Sequence, residues 1–522
     1  MSLGGEAIAG GFVTPRRAPR PVTCGMTSDA TAPLLARLQE IEDLGGAVSL
    51  LTWDQSVKMP PGGAEARGRQ LATLGRLRHE RWLDPGLERD LAAVERDAPD
   101  GVTADLVRVV RHDLERASRV PNDYVSRSAA HAAASYDAWL DARRGGSTGR
   151  VIGLLERTLD LSLEYAGFFP EVAHPADALI DEADEGATVA SLRPLFARLR
   201  DALVPRVASW SAAPPAPPLP AGPFDVGEQL AAALELAQAF GYDVRRGRQD
   251  LTAHPFAIRF AHGDVRITTR ARPDDLTEVL FSTLHEAGHA MYEQGVDPGL
   301  EGTLLAEGVS AGVHESQARL WENQVARSRA FWRFALPRLR ARFPALAGVD
   351  AEGAFRAVNR VQRSLIRTDA DEVTYNLHVI VRFDLELELL EGRLAVRDLP
   401  EAWAERYATD LGVAPTGAAD GWLQDVHWFA GAIGGSFQGY TLGNVLSAQF
   451  FAAAARELGD VDAQIAAGDF APLRTWLTEN VYRHGRRKPV DRLVRDATGG
   501  PLDVEPYLAY LDRKFGPLAG TA

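Results

Sequence analysis

The sequence predicts a mainly α-helical protein with a small β-hairpin or sheet, and three observations carry that prediction. From Leu34 to Ala208, and again from Gly353 to Leu411, Leu, Ala and Arg recur at the spacing of amphipathic helices. Strand-like alternation is scarce outside one stretch ahead of residue 270. At 522 residues the chain can bury a large core, and neither a repeat period nor a long low-complexity linker divides it.

Residues 31–522 are therefore expected to form one helical domain. Residues 1–30 read as a poorly ordered extension. The first 25 residues carry Gly, Pro and Arg without the basic-then-apolar order of a secretory signal, and Met26 looks more like a natural start. Ser211 to Pro223, rich in Ala and Pro, reads as a loop joining two helical layers. Further on, Pro255 pushes His254 toward an extended backbone. Phe256–Phe260 and Val265–Thr269 then alternate about a turn, which predicts a hairpin whose edge offers room for an extended peptide.

A helix is expected next, over Asp274 to Tyr292. Leu276, Val279, Leu280, Leu284, Ala287, Ala290 and Met291 fall close to helical spacing, with Asp274 or Asp275 available as N-cap. Inside it, residues 285–289 read His-Glu-Ala-Gly-His. One helical turn separates His285 from His289, so both imidazoles converge on one side, where they can share a divalent ion. Glu286 projects beside them, where a general base for metal-assisted hydrolysis must stand. The constellation reads as a zinc peptidase site.

Catalytic zinc usually takes three protein ligands and leaves one position open. A third His is excluded from the local spacing, since Tyr292 and Gly295 stand three and six residues beyond His289. A carboxylate from a later segment is expected instead. Glu301, Glu307, Glu315 and Glu322 are the candidates, and spacing alone does not choose among them. Glu307 and Glu315 share a stretch, Leu304 to Trp321, that reads as one helix with a Gly-containing start.

Several ordered segments resemble the carboxypeptidase Taq family of metallocarboxypeptidases. They are His254-Pro255-Phe256, the 285–289 motif, His314-Glu315-Ser316-Gln317, Ile366-Arg367-Thr368-Asp369-Ala370-Asp371, and Gly421 to Trp428. Trp53-Asp54-Gln55, Met59-Pro60 and the Thr498 to Lys514 stretch extend the resemblance over roughly residues 31–515. The resemblance implies a helical zincin-type peptidase, a homodimer, with a deep active-site groove and an activity that removes single residues from peptide C-termini. It also implies Glu315 as third metal ligand and Arg367 as partner of the substrate's terminal carboxylate. A planar guanidinium suits that task because it can hold a carboxylate through two parallel hydrogen bonds. His254 is the second candidate for substrate binding. One departure stands out: Ile433 to Tyr440 replaces a family segment richer in aromatic residues, so the pocket lining is expected to differ there.

For catalysis, a divalent ion lowers the pKa of its bound water to about 7. Glu286 would accept the water's proton and pass it to the leaving amine. The tetrahedral intermediate also needs a hydrogen-bond donor on its oxyanion. Tyr375, His378, His427 and Tyr440 are the candidates, all in or beside the matched segments. Six of the twelve histidines (254, 285, 289, 314, 378 and 427) fall in these regions, a clustering that favours chemistry over scatter. Zinc is the expected ion, with cobalt or manganese compatible with the same N and O ligands.

Composition narrows the partners. Seventy-one acidic and 57 basic residues give a formal charge of −14, which opposes nonspecific nucleic-acid binding. Lysine occurs only at 58, 488 and 514. The basic run Arg483, Arg486, Arg487 and Lys488 reads as a solvated loop. A lone cysteine, Cys24, excludes an internal disulfide and fits a reducing, cytoplasmic setting. No apolar run approaches the ~20 residues that span a bilayer. Peptides are thus the expected partners, with neither nucleic acid nor membrane. Two rival readings share the motif: an endo-acting oligopeptidase in which Arg367 is only structural, and a noncatalytic peptide-binding scaffold, against which the intact Glu286 argues.

Overall fold

A computed structural model of the chain describes residues 30–520. Residues 1–29 of the expected N-terminal extension, Cys24 among them, lie outside the described residues. Twenty-one α-helices and one three-stranded sheet are found among those described.

Helix Thr31–Val57 opens the fold, and its Leu34, Leu38 and Ile41, at helical spacing, are fully buried. They pack with Leu87 and Leu91 of helix Pro85–Arg96, with Val109 and Val110 of helix Gly101–Arg119, and with Leu304 and Leu305 from the loop after the motif helix. Each such leucine contributes roughly 1.5–3 kcal/mol by leaving water. A second, much larger cluster holds the rest of the core and includes the inner face of the motif helix, with Val279, Leu284, Ala287 and Ala290 inaccessible. Helix Ala64–Trp82 has no buried residue at all and lies along Thr31–Val57 as an outer layer.

The linker after helix Val189–Trp210 is a loop, as its composition predicts, and leads into helix Val226–Phe240. It is pinned beside the start of the motif helix, where the Phe224 N–H donates to the Pro273 carbonyl at 2.8 Å.

The hairpin strands are β2 (Ala257–Ala261) and β3 (Asp264–Thr269), antiparallel, with Ile258 opposite Arg266 and a register shift between Arg259 and Ala261. The sequence reading missed β1 (Gln249–Leu251), which pairs parallel to β3 and makes the order β1-β3-β2. Its three residues are too few and too polar to give an alternating signal. Gly46 of helix Thr31–Val57 comes so near β2 that a Cβ there would stand 2.9 Å from the Phe260 carbonyl oxygen. The edge expected to take a peptide is therefore covered at that point.

Two further segments differ from expectation. Leu304–Val309 is not helical; the helix begins at Ala311, where Ser310 caps it by accepting from the Val313 N–H. The basic run near residue 486 is ion-paired rather than solvated: Arg486 meets Asp113 at 2.8 Å, Arg487 meets Asp105 at 2.9 Å and Lys488 meets Asp496 at 2.9 Å. Two of these pairs tie the C-terminal part of the chain to helix Gly101–Arg119. Among the described residues, no helix is long and apolar enough to cross a membrane.

Candidate metal centre

The motif helix, Leu276–Gly295, starts where the Asp275 carboxylate accepts from the Thr277 N–H at 2.8 Å. Ten residues on, its 285–289 segment faces the helix Ala311–Arg319. Gly288 permits the close crossing, since a Cβ at that position would lie 2.6 Å from the Ala318 Cα. Backbone cannot yield as a flexible side chain can, so glycine is the residue that fits.

This crossing brings Glu315 beneath the two histidines. Its Oε2 lies 3.8 Å from His285 Nε2 and 3.6 Å from His289 Nε2, and one ligand atom from each of the three residues lies within 4.8 Å of the others. Gly443, on helix Gln438–Leu458, closes the site from behind, because a Cβ there would overlap Cγ of Glu315. Of the four candidate carboxylates, Glu315 alone joins both rings. Glu301 accepts from Arg259 and the His262 N–H, and Glu307 lies 3.3 Å from Arg486.

Glu322 takes a different position, 2.9 Å from Nδ1 of His285. It reaches there because helix Ala311–Arg319 continues into a π-helical segment, Leu320–Ala326. The wider turn shifts side chains off the α-helical periodicity, as π-segments at functional sites often do. Arg319 and Arg327 hold the Glu322 carboxylate, at 3.3 and 2.9 Å. Arg319 also donates to Glu315 Oε1 at 2.7 Å.

Electrostatics prepares the trio for a cation. Burial works against the Glu315 charge, yet Arg319, His285 and His289 together hold its carboxyl well below the usual range. Burial lowers the His289 imidazole to about 4, which keeps that ring neutral. Burial opposes the charged form of His285 too, but Glu315 and Glu322 raise it. Glu286 is only 6 % exposed, and burial pushes its carboxyl up to about 7. Two imidazole nitrogens and an ionised carboxylate oxygen form a donor set that suits zinc, cobalt or manganese.

A second cluster adjoins the first through Arg319, whose guanidinium lies 4.5 Å from the centre of the Tyr375 ring. The Tyr375 hydroxyl accepts from Arg367 at 3.0 Å. Arg367 sets its Nε and Nη2 against the two oxygens of Asp425, and the fully buried Arg382 donates to Oδ2 of the same carboxylate. Tyr440 lies under Arg367 at 5.0 Å, its hydroxyl 3.2 Å from His427 Nε2.

The structure thus gathers Arg367, Tyr375, His427 and Tyr440. His378 is fully buried, with Nδ1 3.0 Å from the Tyr407 hydroxyl, which also accepts from Arg382 at 2.9 Å. His254 is exposed on the bend between β1 and β2 and makes no hydrogen bond or ion pair. Sequence reasoning did not single out Asp425, Arg382, Arg319 or Glu293. Only Asp425 lay inside a quoted motif, and nothing in its spacing signals that it is shared by two arginines.

A family model described as carboxypeptidase Taq (M32) metallopeptidase matches residues 33–515. Thermostable carboxypeptidase 1 of Thermus thermophilus is 41% identical over 512 residues, covering 95% of this chain and 100% of that protein. Carboxypeptidase 1 of Bacillus subtilis is 33% identical over 92% of this chain and 97% of its own length. Among solved structures, the M32 carboxypeptidase from Deinococcus radiodurans R1 is 52% identical with a TM-score of 0.93, over 94% of this chain and 100% of that one.

Proposed function

The chain belongs to the carboxypeptidase Taq (M32) metallopeptidases, and from that premise we propose how its residues divide the work of a metal-dependent carboxypeptidase. His285, His289 and Glu315 hold the metal. When bound, the ion supplies Lewis acidity toward a water and toward the scissile carbonyl. Glu286, one position from His285 on the same helix, takes the proton from that water and later delivers it to the leaving amine.

The observation that carries the exopeptidase reading is a surplus of buried positive charge. Arg367 and Arg382 share one carboxylate, that of Asp425. A buried charge without a partner is costly, so a second anion entering the cluster is strongly favoured. The free C-terminal carboxylate of a peptide is such an anion. Asp425 occupies the Nε/Nη2 edge of Arg367 and Tyr375 one hydrogen of Nη1, which leaves a hydrogen on each Nη to donate.

Direction follows from helix Ala311–Arg319. Ala311, Glu315 and Arg319 share one face at four-residue spacing, over about 12 Å. A cavity of about 560 Å³, lined by Ala311, Ser310 and His314, opens at its start. Arg319 leads to Tyr375 and Arg367 at its end. The substrate's last residue lies toward Arg319, its upstream residues toward the cavity, with the scissile bond beside Glu315. Tyr440, with His427 behind its hydroxyl, is the donor for the oxyanion, while Tyr375 positions Arg367. Zinc is the expected metal. The reading also includes a homodimer, carried by the family resemblance, and a cytoplasmic setting, which fits the lone Cys24.

The test is a pair of N-terminally blocked peptides, one with a free and one with an amidated C-terminus. Stepwise loss of single residues from the free peptide, with the amide resistant, is the expected outcome. Internal cuts made equally in both would replace this reading with an endo-acting oligopeptidase.

A further inference from the structure

His285 and His289 turn the same nitrogen toward Glu315 but lean on different partners behind. His285 has the Glu322 carboxylate at 2.9 Å from its Nδ1. His289 instead has another ring, with His314 Nδ1 only 2.6 Å from its own Nδ1. Two ring nitrogens at that distance share a single proton, so one of the rings must accept. On its far side, His314 Nε2 lies 2.8 Å from Oε1 of Glu293, which also accepts from the Gly308 N–H at 3.2 Å.

Only one distribution of protons satisfies this chain while leaving His289 Nε2 free to bind a cation. An ionised carboxylate can only accept, so the His314 proton sits on Nε2 and its Nδ1 carries a lone pair. That lone pair takes the proton on His289 Nδ1. The His289 lone pair is then on Nε2, the atom 3.6 Å from Glu315.

We propose that His314, oriented by Glu293, is a positioning residue of the metal centre: it fixes the tautomer and the ring plane of His289. The proposal rests on the assignment of His285, His289 and Glu315 as metal ligands. Geometry beyond the hydrogen bonds supports it. Glu293 stands one turn after His289 on the motif helix, and His314 immediately precedes Glu315 on the facing helix, so the chain clamps the two ligand-bearing helices together. The two ring planes meet at 28°, with centroids 4.6 Å apart. Gly308 leaves the room this needs, since a Cβ there would lie 2.6 Å from His314 Cδ2.

Zinc affinity of the full-length protein, measured by competition with a chromophoric chelator, tests this without reference to turnover. His314→Leu is expected to raise the zinc dissociation constant about 10- to 100-fold, the usual cost of losing such an outer partner. His314→Asn, whose Oδ1 stands near the place of Nδ1, is expected to recover most of that loss. Leu and Asn variants binding zinc equally well would overturn the proposal. Should His314→Leu fail to fold, Glu293 supplies the same comparison. Glu293→Gln keeps an acceptor for Nε2–H and is expected to bind nearly as the unmodified protein does. Glu293→Met lets the His314 proton move to Nδ1, opposite that of His289, and is expected to bind weakly; equal affinities would again overturn the proposal. If His289→Ala retained full affinity, the ligand assignment itself would fall, which separates the two failures.

Discussion

Arg367 lies against Asp425 in a forked contact, Nη2 2.7 Å from one carboxylate oxygen and Nε 3.1 Å from the other, with both side chains largely buried. A guanidinium held this way is fixed in plane and direction before any substrate arrives, which lowers the ordering cost of binding. The same carboxylate also serves Arg382, so the cluster keeps a net positive charge.

Arg367→Met should therefore raise KM for peptides with a free C-terminus and reduce kcat/KM about 10- to 100-fold, the worth of a charge-assisted hydrogen bond. Amidated peptides should be unaffected by the change. Steady-state kinetics on the matched pair checks this; an equal loss on both would make Arg367 a structural residue.

Replacing Glu286 by Gln preserves shape and removes the proton acceptor. Hydrolysis should fall by about 10²- to 10⁴-fold or more while metal content stays at the level of the unmodified protein. Elemental analysis alongside the rate separates the two effects, and undiminished hydrolysis would remove Glu286 from the mechanism.

Glu315→Ala should lose the metal under dialysis that leaves the unmodified protein loaded. Glu322→Gln should retain it with affinity weakened about 10- to 100-fold, because it acts on His285 from behind. The order of the two variants in a chelator titration is the discriminating result. A Glu322 variant weaker than the Glu315 variant would reverse the roles given to them.

Stability should depend on pH through His112. Hydrogen bonds with Asp113 and Asp181, at 3.0 and 2.9 Å, push its imidazole up to about 9 from an ordinary 6.5. A raised pKa means that the folded state holds the proton more tightly than the unfolded one. The resulting stabilisation, on the order of 1–3 kcal/mol, is complete below pH 6.5 and fades as the pH rises through 9. His112→Gln should thus lower the melting temperature most at pH 6 and match the unmodified protein above pH 9. A constant difference across that range would contradict the assignment.

The motif helix was legible because its signals are local: Asp275 as cap, apolar residues at helical spacing, and two histidines one turn apart. The hairpin was legible for the same reason, to within a residue. What escaped depends on contacts far apart in the chain. Spacing alone does not separate Glu315 from Glu322, although the family resemblance does; Glu322 reaches His285 from a π-helical segment that no α-helical period describes. The sharing of Asp425 joins residues 58 and 43 positions away. His378 carries a ring in a matched segment, yet helix Tyr375–Leu390 turns it into the core against Tyr407. The His314–Glu293 pair is likewise closed only when two helices cross at Gly288.

Diffraction from zinc-loaded crystals, recorded on both sides of the zinc absorption edge, addresses the ion and its ligands together. The expected result is one anomalous peak about 2.0–2.2 Å from His285 Nε2, His289 Nε2 and a Glu315 oxygen. A zinc peak elsewhere, or none beside those three atoms in protein that contains stoichiometric zinc, would contradict the metal centre on which this account depends.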